Sequence, residues 1–231
     1  MPNAAENLHR KPVVCYVTDG NSLGAKDRVR NVLERVRAAV QTGVDWVQIR
    51  EKSLPARELL FLARDAVDAG RELRPGEARV VVNDRLDVAI ASGAAGVHLG
   101  GESLPAREVT GWCRGGNAPA DFSVGASCHS VEQAHEAENA GANYIFFGPI
   151  FDTPSKRAFG SPQGIPKLAE VCREVRIPVI AIGGINLENT EECLRAGAAG
   201  IAAIRLFQDA GEAADLRSTV ERIHRMASSD S

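Results

Sequence analysis

The chain of 231 residues is poor in aromatics, with Phe, Trp and Tyr together at 5%. Its core must therefore be aliphatic. Long apolar runs are missing too, and none approaches the roughly 18 residues that a membrane span needs. Residues Met1 to Lys11 are polar and lack the apolar stretch of a secretory signal, so they read as a short disordered tail. The five cysteines (Cys15, Cys113, Cys128, Cys172 and Cys193) are odd in number and scattered, with no Cys-x-x-Cys or Cys/His cluster. That argues against a disulfide framework or a structural zinc, and for buried reduced thiols in the cytoplasm. Charge of one sign is also lacking: 27 Lys+Arg against 30 Asp+Glu leave −3. This argues against a nucleic-acid binder working by bulk positive charge, although a local basic cluster can still hold phosphate.

Two things are plentiful: hydrophobic residues, at 44%, and glycine, at 22 residues. The first supplies a sizeable core and the second implies many tight chain reversals. Short β-branched runs alternate with longer helical patterns. Strands are expected at Val13–Thr18, Trp46–Arg50, Val80–Asn83, Gly96–Leu99, Phe122–Ser127, Tyr144–Phe147, Val179–Ile182 and Gly200–Ile204. Helical patterns include Asp27–Gln41, Pro55–Asp68, Val131–Ala140, Ile165–Val175, Leu187–Ala196 and Ala210–Met226. Eight strands each followed by a helix predict an α/β fold, a single (β/α)8 TIM barrel. It would span residues 12–226, with tails at 1–11 and 227–231. At this length each unit takes roughly 29 residues, which favours one barrel over two domains.

An internal echo supports the barrel. Gly43, Gly93, Gly141 and Gly197 recur at spacings of 50, 48 and 56 residues, each ending a helix about three residues before a strand. Glycine suits a helix C-cap because the left-handed conformation costs it nothing. The spacing is two βα units per step, so the echo marks the even-numbered strands.

In such a barrel, chemistry sits at the C-terminal strand ends, and polar residues collect there. Gln48, Arg50 and Lys52 alternate at the end of the second strand, so all three are expected to face the barrel mouth. An amide and two cations suit a phosphate or diphosphate, Arg as a planar fork and Lys as a point charge. The plainer alternative is an internal ion pair with Glu51 or another barrel carboxylate. Asp84, in Asn83-Asp84-Arg85, is either a Mg²⁺ ligand or a helix cap. Gly183-Gly184 and Ile204-Arg205 end the last two strands, where barrels often bind phosphate. Residues 148–164 are long for a βα loop and carry Thr153-Pro154-Ser155-Lys156-Arg157, a lid for an anion or a solvated excursion. Ser127 lies in no nucleophile elbow and reads as a hydrogen-bond donor to a ligand. His129 reads as capping or packing, and His98 as a hydrogen-bonded histidine inside the barrel.

Taken in order from Val13 to about Arg222, these motifs resemble the thiamine phosphate synthases. The resemblance rests on Gln48-Ile49-Arg50-Glu51-Lys52, Asn83-Asp84-Arg85, Gly96-Val97-His98-Leu99-Gly100, Ser127-Cys128-His129, Gly148-Pro149-Ile150-Phe151-Asp152-Thr153-Pro154-Ser155-Lys156 and Ala181-Ile182-Gly183-Gly184-Ile185. It implies a (β/α)8 barrel joining hydroxymethylpyrimidine diphosphate to a thiazole phosphate, or its carboxylate form, with loss of diphosphate and Mg²⁺ as cofactor. By the same resemblance Arg50, Lys52, Asn83 and Lys156 would hold the diphosphate, Gln48 the pyrimidine and Asp84 the Mg²⁺. Ser127 would touch the leaving group or pyrimidine, Thr153 and Ser155 would line the thiazole side, and Gly184 and the Ile204 backbone would take the thiazole phosphate, with Gly183 and Arg205 read as substrate-binding beside them from their place at the same strand ends. The implied partners are small phosphorylated molecules, not nucleic acid or membrane, and a homo-oligomer stays open.

Three positions depart from the family pattern. Ser103 stands where the family usually has an Asp that is a second Mg²⁺ ligand, so either Glu102 or Ser103 serves instead or Mg²⁺ rests on Asp84 alone. Asp152 replaces a usual Pro, and Arg205 a usual Ser. A sister group, the thiazole tautomerases, carries a His where Pro149 stands and tends to lack the Asp84 carboxylate. The tautomerase and a non-catalytic phosphate-ligand barrel remain as alternatives.

Overall fold

Most strands of this chain are apolar on both faces, which only a sheet covered on both sides can satisfy. The computed structural model describes residues 11–24, 26–153, 161–210 and 213–226. It shows eight parallel strands: β1 Val13–Val17, β2 Trp46–Ile49, β3 Arg79–Asn83, β4 Gly96–Leu99, β5 Ser123–Cys128, β6 Tyr144–Phe147, β7 Val179–Ile182 and β8 Gly200–Ala203. Each pairs with the next, and β8 returns to β1 to close the barrel. The helices described are α1 Arg28–Gln41, α2 Ala56–Leu73, α3 Leu86–Ser92, α4 Ala106–Trp112, α5 Val131–Asn139, α6 Gly164–Glu174, α7 Thr190–Arg195, α8 Arg205–Gln208 and α9 Ala213–Met226. The expected single (β/α)8 barrel is therefore observed. Of the expected tails at 1–11 and 227–231, only Lys11 lies within the described residues, where its Nζ pairs with Asp45 Oδ1 at 3.0 Å.

Period-two alternation divides the core in two. Val14, Val47, Val82, Val97, Ile145 and Ile201 face outward into the layer between sheet and helices. Cys15, Val17, Tyr144, Phe146, Ile180 and Ala202 face inward and fill the barrel lumen. Three of the scarce aromatics, Trp46, Tyr144 and Phe146, pack in the lumen, where Trp46 meets Tyr144 edge-on with centroids 4.7 Å apart. Gly43, Gly93, Gly141 and Gly197 all take positive φ, between 69° and 108°, as their recurrence predicts.

Where boundaries differ from expectation, side chains account for the shift. Thr18 and Arg50 leave the ladder because the Thr18 hydroxyl accepts the Arg50 N–H, at 2.9 Å, and donates to Glu51, at 2.7 Å. α7 starts at Thr190 rather than Leu187, because Asn186 Oδ1 accepts from the N–H groups of Glu188 and Asn189 and holds a turn. Phe122 falls outside β5, its N–H bonded to Pro119 O in a turn.

The bottom of the barrel is tied to the C-terminal helix through Asp45. Its Oδ2 accepts from the Val14 N–H and from His224 Nε2, both at 2.9 Å, and Oδ1 from Lys11 Nζ at 3.0 Å. Burial pushes the Asp45 carboxyl up, but the bonds from His224, Val14 and Lys11 outweigh it and hold it below the usual carboxylate value. The contribution is complete above the unfolded value, near 4, and is lost as the pH falls through the lower folded value. Asp45→Asn is therefore expected to lower the melting temperature at pH 7 and to converge on the parent protein toward pH 3. Thermal melts across that range check this, and a deficit constant with pH refutes it.

Candidate active site

A cavity of about 630 Å³ opens at the C-terminal ends of the strands. Inward-facing residues at the last or next-to-last positions of successive strands form its floor, including Gln48, Asn83, His98, Ser127 and Phe146. Gln48 Nε2 donates to Asn83 Oδ1 at 2.8 Å, and Asn83 Nδ2 donates to Asp84 Oδ2 at 2.5 Å. This amide chain fixes both side chains, which leaves their remaining polar atoms preorganised.

Arg50 lies on the cavity wall and is half-buried. The carboxylate next to it in sequence is already occupied. Glu51 has no exposed side-chain surface and accepts from Arg28 Nη2 at 2.7 Å and Nε at 3.2 Å. It also accepts from the Thr18 hydroxyl at 2.7 Å and from the Gly20 N–H at 2.9 Å. Glu51 therefore pairs with Arg28, not with Arg50 or Lys52, and among the described residues no carboxylate neutralises Arg50. Lys52 departs from the expected alternation. β2 ends at Ile49, so Lys52 falls on an exposed turn and is not part of the cavity wall.

Opposite this wall, Gly183 and Gly184 line the cavity with φ of 98° and 69°. Both glycines are required, for a reason local sequence does not reveal. A Cβ at Gly183 would lie 2.6 Å from Pro149, and one at Gly184 would lie 2.7 Å from Asp152 O. The loop after β6 thus rests on the loop after β7, with Ile150 and Phe151 N–H groups bonded to Ile182 and Gly183 carbonyls at 3.0 Å. Ile204 and Arg205 complete this side, and Thr153, buried, closes the corner. Ser155 and Lys156 lie outside the described residues.

Asp84 does not cap α3, whose N-cap is Arg85. Asp84 takes a left-handed φ of 60°, and its Oδ1 accepts from the Gly100 N–H at 3.1 Å and from the Ser103 hydroxyl. Ser103 thus reaches Asp84 from the loop after β4, while Glu102 is exposed. Among the described residues no three His, Cys, Asp or Glu side chains gather as a metal cluster. One carboxylate and a hydroxyl oxygen are hard donors, and this sparse set fits an ion such as Mg²⁺, which keeps several waters and takes substrate phosphates as ligands.

Sequence reasoning missed several wall residues. His129 lines the cavity, its ring held by an Nδ1 hydrogen bond to the Gly148 carbonyl, instead of merely capping or packing. Ser22, Asn186 and Asp209 also reach the mouth. Ser22 does so through the turn Gly20–Leu23, which Gln208 pins by accepting from the Ser22 hydroxyl at 2.7 Å. No local pattern marks these residues. His98, by contrast, is the buried and hydrogen-bonded residue the sequence implied.

Fold and cavity define a class: a (β/α)8 barrel with an open C-terminal mouth, an arginine on one wall and a glycine turn on the other. The family described as thiamine monophosphate synthase matches residues 14–207. A thiamine-phosphate synthase of Syntrophomonas wolfei is 40% identical over 200 residues, 84% of this chain and 90% of the relative. One from a Roseiflexus species is 38% identical over 195 residues, 83% of this chain and 76% of the relative. The solved thiamine phosphate pyrophosphorylase from Pyrococcus furiosus superposes with a TM-score of 0.78 at 32% identity, covering 94% of this chain and 96% of that one. The chain belongs to the thiamine monophosphate synthase family.

Proposed function

We propose that this chain is a transferase making thiamine phosphate, by coupling hydroxymethylpyrimidine diphosphate to a thiazole phosphate with release of diphosphate. The observation that carries the reading is a (β/α)8 mouth with Arg50, which no carboxylate among the described residues neutralises, and a glycine-lined turn on its wall, in a chain that matches this family over residues 14–207. Family relatives at 38–40% identity bear the synthase name, which favours it over the tautomerase and the non-catalytic barrel.

The reaction proceeds by departure of diphosphate and capture of the pyrimidine-methyl cation by the thiazole nitrogen. Arg50 and Asn83 bind diphosphate oxygens, and Gln48 orients the pyrimidine. Ser127 donates to the leaving group. Lys156 is assigned to the same anion by resemblance, whereas Lys52, which lies outside the cavity wall, is not. Thr153 and Ser155 contact the thiazole, and Gly183, Gly184, Ile204 and Arg205 receive its phosphate. Charge builds on the leaving oxygens, so groups already aimed there lower the barrier most. Enclosing the cation keeps water from it. Asp84, with the Ser103 hydroxyl, would hold Mg²⁺, and a bound ion supplies charge neutralisation of the diphosphate. No step asks for a strong protein base, in keeping with a Ser127 that is hydrogen-bonded to His98 outside any nucleophile elbow. The reading places the reaction in the cytoplasm, with the five cysteines as free thiols.

Product analysis with both purified precursors tests it. Thiamine phosphate and diphosphate in equal amounts are expected with Mg²⁺, falling when EDTA is added. Aromatisation of a thiazole tautomer with no pyrimidine present would support the tautomerase instead, and ligand binding without turnover the non-catalytic barrel.

A further inference from the structure

A polar chain crosses the barrel lumen behind the cavity floor. Tyr144 on β6 is buried, and its hydroxyl lies 3.4 Å from His98 Nδ1. The buried His98 ring packs on Phe146, with centroids 4.2 Å apart, and its Nε2 lies 2.9 Å from Ser127 Oγ. Ser127 borders the cavity. Strand register builds the chain: β5 sits between β4 and β6, pairing Gly125 with His98 on one side and Tyr144 on the other. Gly125 leaves the space for it, since a Cβ there would fall 2.2 Å from Tyr144 Cζ.

The direction of the hydrogen bonds follows from the buried end. Burial pushes the Tyr144 phenol up, so it keeps its proton, and a buried hydroxyl hydrogen needs an acceptor. His98 Nδ1 is the acceptor within reach. Accepting there places the proton of a neutral imidazole on Nε2. Nε2–H then donates to Ser127 Oγ, and the Ser127 hydrogen turns away from His98 toward the cavity. The reverse polarity would leave the phenolic hydrogen unsatisfied in the lumen, an unmade buried bond.

We infer that Tyr144 and His98 are positioning residues that make Ser127 a dedicated hydrogen-bond donor to an anionic ligand oxygen. On the function proposed above, that oxygen belongs to the departing diphosphate. A serine free to rotate offers either lone pair or hydrogen, whereas this one presents the hydrogen already oriented. The chain also polarises the Ser127 O–H as negative charge grows on its acceptor.

The test uses Tyr144→Phe, which keeps the ring and its packing and removes the hydroxyl. ¹⁵N NMR of the His98 imidazole in the parent protein should show the Nε2–H tautomer, and Tyr144→Phe should lose that single form. Affinity for inorganic diphosphate, measured by calorimetry, should fall about three- to tenfold in both Tyr144→Phe and Ser127→Ala. The double variant should be no weaker than Ser127→Ala, because both changes remove one interaction. His98→Gln, retaining an N–H donor, should keep more affinity than His98→Leu. An Nδ1–H tautomer in the parent, or losses that add in the double variant, would overturn the inference. If the tautomer and binding results hold but the two precursors give no thiamine phosphate, the proposed function fails while the donor chain stands.

Discussion

Arg50→Ala is expected to lower kcat/KM for the pyrimidine diphosphate about a hundred- to a thousandfold, the scale set by removing one preorganised donor from a developing anion. Arg50 borders the cavity, the carboxylate that follows it in sequence is taken by Arg28, and no other carboxylate among the described residues pairs with it, so its charge faces the ligand space. Charge on the leaving diphosphate is greater in the transition state than in the bound substrate, so kcat should carry most of the loss. Arg50→Lys should recover only part of it, because an ammonium cannot reproduce the two parallel donors of a guanidinium. Steady-state kinetics at saturating thiazole phosphate decide it, and a loss below about threefold would remove Arg50 from the catalytic wall.

Glu51→Ala should have the largest effect on stability. The buried carboxylate gathers five donor contacts, from Thr18, Gly20 (two) and Arg28 (two), and its loss strands a guanidinium only 18% exposed. Breaking a buried pair from one side costs about 3–5 kcal/mol, or roughly 6–20 °C in melting temperature for a chain of this size. Activity should suffer with it, since the Thr18 hydroxyl that Glu51 holds also accepts the Arg50 N–H. Glu51→Gln, which keeps an acceptor for Gly20 and Thr18 but not the charge facing Arg28, should fall between. Denaturant unfolding checks this, and a destabilisation under about 1 kcal/mol would show the clamp to be dispensable.

The barrel was legible because its determinants are local and repeated. The runs Gly96–Leu99, Tyr144–Phe147 and Val179–Ile182 are bounded by turns and match their strands residue for residue. The four phased glycines needed only their spacing to be read as helix ends, and all four have positive φ. The site was legible where strand parity persists, as at Gln48, which faces the mouth like the inward residues below it. It misled where parity stops. Three residues past the end of β2 the backbone has turned, and Lys52 faces solvent.

Composition, alternation and glycine spacing were sufficient for the eight βα units and for the polar rim, because each depends on residues within a few positions of one another. Partner choice among the side chains was settled only by barrel closure. It brings Glu51 to Arg28, 23 residues away, Ser103 to Asp84, 19 away, and Tyr144 to His98, 46 away. These pairings depend on the stagger of neighbouring strands and on how loops from different units lie across the mouth. A linear pattern carries the inventory of donors and acceptors, but a buried hydrogen bond is made or lost within a fraction of an ångström, and that precision exists only once the sheet has closed.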